Sequence, residues 1–180
     1  LRKSGLKGMN ILNRPERLIA TFFADDTTVY LSKDDDFDDL ESILNEWCLA
    51  SGAKFNINKT EIIPVGSPEY RDALRQSRFL NGLDGTSIPE HIKIAREGDA
   101  IRSLGALIGN GISQLQPWTK VIEKIDASLA RWELSRPTME GRRLIVSMVV
   151  GGMTQYLTKV QGMPRAVEDR LEKRIRKFLW

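Results

Sequence analysis

The chain is poor in the residues that several common chemistries require. It holds one cysteine and one histidine among 180 residues. A single cysteine excludes a disulfide framework, and the two together are too few for a Cys/His zinc site. Aromatic residues make up only 7% of the chain, although four of them are tryptophan. No apolar run is long: the strongest, Leu144–Met153, is too short to span a bilayer and contains two glycines. The opening segment LRKSGLKG is not followed by an apolar stretch, so no secretory signal is expected. These absences lead to the expectation of an intracellular protein. Leu1 and Trp180 read as cuts through a longer polypeptide.

What is present is an ordinary globular composition, 41% hydrophobic and 28% charged. That is enough for a core in one domain or two small ones. Charge is divided unevenly. Residues 1–100 carry 13 Lys/Arg against 17 Asp/Glu, and residues 101–180 carry 14 against 7. A basic half attracts phosphate groups, whereas clustered carboxylates repel one another unless they are solvated or hold a cation.

The pattern of the first 112 residues is α+β. Residues 1–13 read as a helix end followed by a short strand. Arg17–Leu31 has two β-rich arms around Asp25-Asp26, which predicts a hairpin with the carboxylates at its tip. Phe37–Ser51 repeats apolar residues at helical spacing, with Asp34-Asp35-Asp36 at its N-terminus and Gly52 as its C-cap. The acidic run therefore reads as a helix start rather than a metal site. Residues 55–66 read as a strand, Ser67-Pro68 opens a helix to about Leu80, and Asn81–Ser87 is a turn region. Residues 88–94 and 101–108 read as β-type arms joined by Glu97-Gly98-Asp99.

Beyond Gly111 the pattern is all-helical. Trp118, Val121, Ile122, Ile125, Leu129 and Trp132 form one stripe, so both tryptophans read as core. Thr138 caps a second helix through Val149, and Pro164 at N1 opens a third with Val167, Leu171, Ile175 and Phe178. Lys120, Lys124 and Arg131 share one helix side, and Arg142, Arg143, Arg170, Lys173, Arg174, Arg176 and Lys177 add to the positive charge.

Two adjacent aspartates alone make a surface turn. Between two apolar strands they become a rigid pair of anions suited to a hard cation, and Mg²⁺ takes one or two carboxylates plus waters and phosphates. In this context Phe23-Ala24-Asp25-Asp26, followed by Thr27-Thr28-Val29-Tyr30-Leu31, resembles the catalytic hairpin of reverse transcriptases, and more narrowly of LINE-type (non-LTR) retrotransposons. Three further segments agree in order. Ser51–Lys54 leading into Phe55–Glu61 resembles the next palm motif. Arg102-Ser103-Leu104-Gly105-Ala106 resembles the primer-grip hairpin. Trp118–Trp132, Gly141-Arg142-Arg143 and Phe178-Leu179-Trp180 resemble the helical thumb.

The resemblance implies the C-terminal part of a polymerase palm over residues 1–112 and a helical thumb over 113–180. It implies RNA-templated extension of a DNA primer with deoxynucleoside triphosphates, using two Mg²⁺ ions with Mn²⁺ as an in-vitro substitute. Asp25 would ligate the metals with Asp26 in support. Phe23 stands where many members have Tyr, and Lys59 would lie near the incoming triphosphate. Leu104 and Gly105 would press on the primer. Lys120, Lys124, Arg131, Arg142 and Arg143 would track the duplex backbone. A third metal-binding Asp and the fingers would lie on an upstream segment of the same polypeptide, so the implied activity of this chain alone is nil. Target-primed synthesis implies a nuclear location. Two other readings compete: a non-catalytic nucleic-acid-binding remnant of a degenerate element, and a metal nuclease using Asp25, Asp26 and a distant carboxylate such as Asp99.

Overall fold

The computed structural model describes residues 1, 3–13, 15–81 and 85–180. The fold is mixed α+β, with small two-stranded sheets and long helices. The chain divides into two compact units, Leu1–Arg96 and Glu97–Trp180. Among the described residues no helix is long and apolar enough to cross a membrane.

In the first unit, β1 (Met9–Asn10) pairs antiparallel with β2 (Arg17–Leu18). The next two strands, β3 (Ala20–Phe23) and β4 (Asp26–Val29), form the expected hairpin, with Ala20 opposite Val29 and Phe23 opposite Asp26. Helix α1 (Phe37–Ser51) has the expected limits. The Asp36 side chain accepts from the Asp38 N–H, and Gly52 closes the helix at φ 72° by donating to the Cys48 carbonyl. Asp35 has a separate job. Its buried carboxylate accepts from the backbone N–H groups of Lys7, Gly8 and Ser32 at 2.6, 3.0 and 2.7 Å. One side chain thus ties the first segment and the exit of the hairpin to the start of α1.

The expected strand over 55–66 is corrected. Only β5 (Glu61–Ile62) is extended, and Ile57–Lys59 is a 3₁₀ turn. The Lys59 and Thr60 N–H groups turn back to the Asn56 and Ile57 carbonyls, and this local bonding replaces a strand ladder. Helix α2 (Pro68–Ser77) is capped by Ser67 as expected. It stops short of Leu80 because Arg78 enters the left-handed region (φ 61°). The Arg78 guanidinium then donates to the carbonyls of Ile88, Pro89 and Ile92. Residues 82–84 of the expected turn lie outside the described residues. Strand β6 (Lys93–Ile94) runs parallel to β5, Ile62 beside Ile94. Leu6, Phe37, Leu40, Leu74, Ile88 and Ile94 are among the buried core of this unit, and Ile19, Val29 and Leu31 pack against it.

The second unit corrects the expected pair of arms. Residues 101–108 fold on themselves as β7 (Ile101–Ser103) and β8 (Ala106–Ile108), with Ser103 opposite Ala106. Both Leu104 (φ 47°) and Gly105 (φ 85°) take positive φ, the sign pattern of the I′ turn that suits a two-residue hairpin. Then come α3 (Gln116–Glu133), α4 (Met139–Val146), a π-type turn (Ser147–Gly151), α5 (Gly152–Gln161) and α6 (Arg165–Leu179). Thr138 caps α4 as expected, accepting from the Gly141 N–H. Pro164 stands one place earlier than expected, at the N-cap of α6. The core is Trp118, Ile122, Ile125 and Leu129 against Ile145, Val149, Leu157, Val167, Leu171 and Phe178. Trp132 is a correction: in the last turn of α3 it is 40% exposed, whereas Trp118 is 1% exposed. Asp126 on α3 pairs with Arg174 (2.6 Å) and Arg170 (3.5 Å) on α6.

Ile125 is fully buried, so Ile125→Ala is expected to cost about 2–5 kcal/mol, read as a lowered denaturant midpoint. Acid acts at α1. The Asp38 N–H, then Thr86, hold the Asp36 carboxyl below the usual aspartate range. A lowered folded-state value means stabilisation present above about pH 4 and lost as pH falls through the lowered value. Asp36→Asn keeps the cap, and acid titration of its melting temperature should be flatter than that of the unchanged chain.

Candidate functional site

The β3–β4 hairpin is rooted in the core and ends in water. Ala20 at its base is buried, and the Tyr30 N–H donates to the Ile19 carbonyl beyond the ladder. At the other end Phe22 and Phe23 are 57% and 66% exposed. The turn is Ala24-Asp25. Ala24 takes φ 53°, a positive value that a residue with a Cβ adopts only at a cost. The return is so tight that Asp26 already pairs with Phe23 in the ladder. Opposed residues share a sheet face, so Asp26 lies on the Phe23 side while Asp25 caps the tip. Both aspartates are exposed, and neither carboxylate has a hydrogen-bond or ion-pair partner among the described residues.

Two free, hard carboxylates on adjacent residues fit Mg²⁺, which completes its shell with water and phosphate oxygens. Among the described residues no third His, Cys, Asp or Glu joins a group that could hold a metal ion, at this tip or at the acidic start of α1. Lys59 ends the 3₁₀ turn in the same unit, exposed, its side-chain ammonium without a partner among the described residues. Asp99 belongs to the second unit.

The β7–β8 turn is held differently, by a helix of its own unit. The Tyr156 hydroxyl on α5 donates to the Leu104 carbonyl. Gln161 donates to the Leu107 carbonyl (2.6 Å) and accepts from its N–H (3.3 Å). A Cβ on Gly105 would stand 3.3 Å from the Tyr156 ring. Leu104 remains 49% exposed on the outside of this clasp. The sequence reading missed Tyr156 and Gln161, which lie far along the chain from the turn they hold.

The basic residues divide into two groups. Lys120, Lys124 and Arg131 are exposed on α3 with no partner among the described residues. Arg142 is instead half-buried and committed to the fold: it donates to the carbonyls of Phe178 and Pro137, and its guanidinium lies 5.6 Å from the Phe178 ring centre. Arg143 forks onto Glu140, 2.6 Å at the closest. That hydrogen bond, then the carboxylate's charge, makes it hold its proton more tightly than an ordinary arginine.

Another feature of the second unit escaped the sequence reading. From Gly141 to Val167 there is no acidic residue, while Arg142, Arg143, Lys159 and Arg165 are present. Leu144, Met148, Met153 and Tyr156 on this stretch are exposed. Between them stand Gly151 and Gly152 with ordinary helical φ and nothing within 4 Å of a would-be Cβ. Neither backbone geometry nor internal packing requires glycine there. Each costs about 1 kcal/mol against alanine in a helix.

No protein-family model, curated protein or solved structure matches the chain.

Tyr156→Phe removes the hydroxyl while keeping the ring. The Leu104 carbonyl is near water, so the global cost is expected to stay within about 1.5 kcal/mol. Hydrogen exchange should nevertheless quicken at the backbone of 103–107 and stay unchanged at the core of α3.

Proposed function

We propose that this chain is part of an RNA-directed DNA polymerase of the LINE type, contributing the metal-binding hairpin, the primer-contacting turn and the helical grip on the duplex. The observation that carries the reading is the pair of unpartnered carboxylates, Asp25 and Asp26, at the tip of a hairpin rooted in a core. The order of motifs along the chain supports it, as does the acid-free helical stretch of the second unit.

Asp25 and Asp26 hold the cations, and their short leash on β3 and β4 fixes where those charges sit. When bound, a pair of Mg²⁺ ions supplies activation of the primer 3′-OH and stabilisation of the leaving pyrophosphate. Lys59 offers a positive charge to the triphosphate and a proton to the departing group. Phe23 gives the nucleotide end an apolar neighbour. Leu104 bears on the primer backbone, and the Tyr156 clasp keeps it from yielding. Lys120, Lys124 and Arg131 attract phosphates without reading sequence. In this reading an upstream palm segment supplies the third carboxylate and the fingers.

Primer extension on an RNA template tests the reading, with the chain alone and joined to its native upstream segment. The joined protein is expected to incorporate deoxynucleotides in Mg²⁺, and Asp25→Asn is expected to reduce this to background. Duplex binding without incorporation by the joined protein would replace the polymerase with a nucleic-acid-binding remnant.

The glycine pair gives a second test. Gly152→Ala is expected to stabilise the second unit by about 1 kcal/mol, because nothing opposes a methyl there. Gly152→Leu is expected to fold equally and to bind an RNA–DNA duplex more weakly in a gel-shift titration. Lys120→Ala with Lys124→Ala should lower the slope of log affinity against log salt by about 1 for each phosphate that a lysine no longer neutralises.

A further inference from the structure

The helical stretch from α4 to α5 is apolar on two sides. Ile145, Val149 and Leu157 belong to the core of the second unit. Leu144 and Met148 are 59% and 60% exposed, and Tyr156 and Val160 are exposed as well. With Gly152 these exposed residues fall at every fourth position of the chain, from 144 to 160. In an unbroken α-helix, residues four apart drift around the axis by about 40° at each step. The π-type turn Ser147–Gly151 interrupts that drift. Its wider i→i+5 bonding gives less rotation per residue, which keeps the apolar stripe on one side of the helix.

The stripe is symmetric about its glycine. Met148 and Tyr156 stand four residues to either side of Gly152, and Leu144 and Val160 eight. When a second copy is laid antiparallel with the two glycines at the crossing, Met148 meets Tyr156 of that copy and Leu144 meets Val160. Gly152 is exposed, with nothing within 4 Å of a would-be Cβ, so two backbones can approach closely there. A patch that complements itself in this way is the requirement of a two-fold interface.

Charge selects the antiparallel order. Glu140 is the single acid between Met139 and Val167. Arg143 forks onto it and Arg142 is bonded to the Phe178 carbonyl, so the α4 end of the stripe offers no free cation. At the α5 end Lys159 is exposed, its ammonium without a partner among the described residues. Antiparallel packing brings the Glu140 end of each copy toward the Lys159 end of the other. Parallel packing would set Lys159 against Lys159, a like-charge pair that disfavours association.

We propose that this stripe is the contact of a two-fold antiparallel dimer of the chain, crossing at Gly152. Four side chains and a glycine cover less than the about 800 Å² per partner of a stable complex. The dimer is therefore weak, with a dissociation constant of about 1–100 µM. The proposal goes beyond the polymerase reading and does not rest on it. Where both hold, a second copy and the duplex compete for Gly152.

Sedimentation velocity of the whole 180-residue chain without nucleic acid, over about 1–200 µM, tests it and is expected to show a monomer–dimer equilibrium. Met148→Lys and, separately, Gly152→Leu are expected to weaken association ten-fold or more, with no loss of melting temperature in the monomer. Cross-linking gives the geometry. In a Cys48→Ser background, which removes the native thiol, a short bis-maleimide should join Gly152→Cys to itself. It should join Leu144→Cys to Val160→Cys in a mixture rather than Leu144→Cys to itself. Lys173→Cys on α6, exposed and off the stripe, should link more slowly than Gly152→Cys. A monomer at every concentration would overturn the proposal and leave the stripe to the duplex or to another partner. A dimer unaffected by both substitutions, or Leu144→Cys linking preferentially to itself, would overturn it as well.

Discussion

Two hairpin tips depend on backbone turned left-handed at residues that are not glycine. Ala24 and Leu104 take φ 53° and 47°, at roughly 1–2 kcal/mol each. Neither conformation would persist in an isolated peptide. At Ala24 it is enforced from behind: Ala20 is buried, Ile19 and Val29 pack on the core, and four ladder pairs leave two residues to make the return. At Leu104 it is enforced from the side, by Tyr156 and Gln161 on α5. The proposed chemistry sits on these tips, where rigidity keeps exposed groups in place against water.

The second unit is governed by burial. Trp118, Ile125, Leu129, Val167 and Phe178 are almost wholly removed from water, and helix length follows from that stripe. The polar ties then choose alignment. Asp126 reaches two arginines of α6, and Arg142 on α4 holds the last turn of α6 at the Phe178 carbonyl. Arg142 shows why a basic residue is a poor indicator of phosphate binding by itself. Its charge is committed inside the fold, whereas Lys120 and Lys124 are left to solvent.

Much of the architecture was legible because it is local. The α1 limits follow from Asp36, the 3.6-residue repeat and Gly52; the α2 and α4 starts follow from Ser67 and Thr138. The Asp25-Asp26 tip followed from two β-rich arms about a polar pair. What failed was non-local. Nothing near Phe55–Lys59 states that the backbone will bond to itself rather than to a strand. Nothing near residues 88–94 states that β6 will join β5 in parallel. The hairpin at Leu104-Gly105 is the local exception: reading 101–108 as one arm passed over it, whereas the resemblance of Arg102–Ala106 to a hairpin already pointed to it. Asp35 was legible as an acidic residue at a helix start, but not as the buried acceptor of three N–H groups from two other segments. Tyr156, Gln161 and the unexplained Gly151-Gly152 pair needed the fold before they carried meaning.

We propose that the hairpin tip, and not the acidic start of α1, is where this chain meets a divalent cation. Paramagnetic broadening of backbone amide signals by Mn²⁺ tests this without requiring activity. Early broadening is expected to centre on Asp25 and Asp26, to be reversed by excess Mg²⁺ and to be absent in Asp25→Asn with Asp26→Asn. Broadening centred on Asp34, Asp38 and Asp39, with the hairpin tip left sharp, would contradict it.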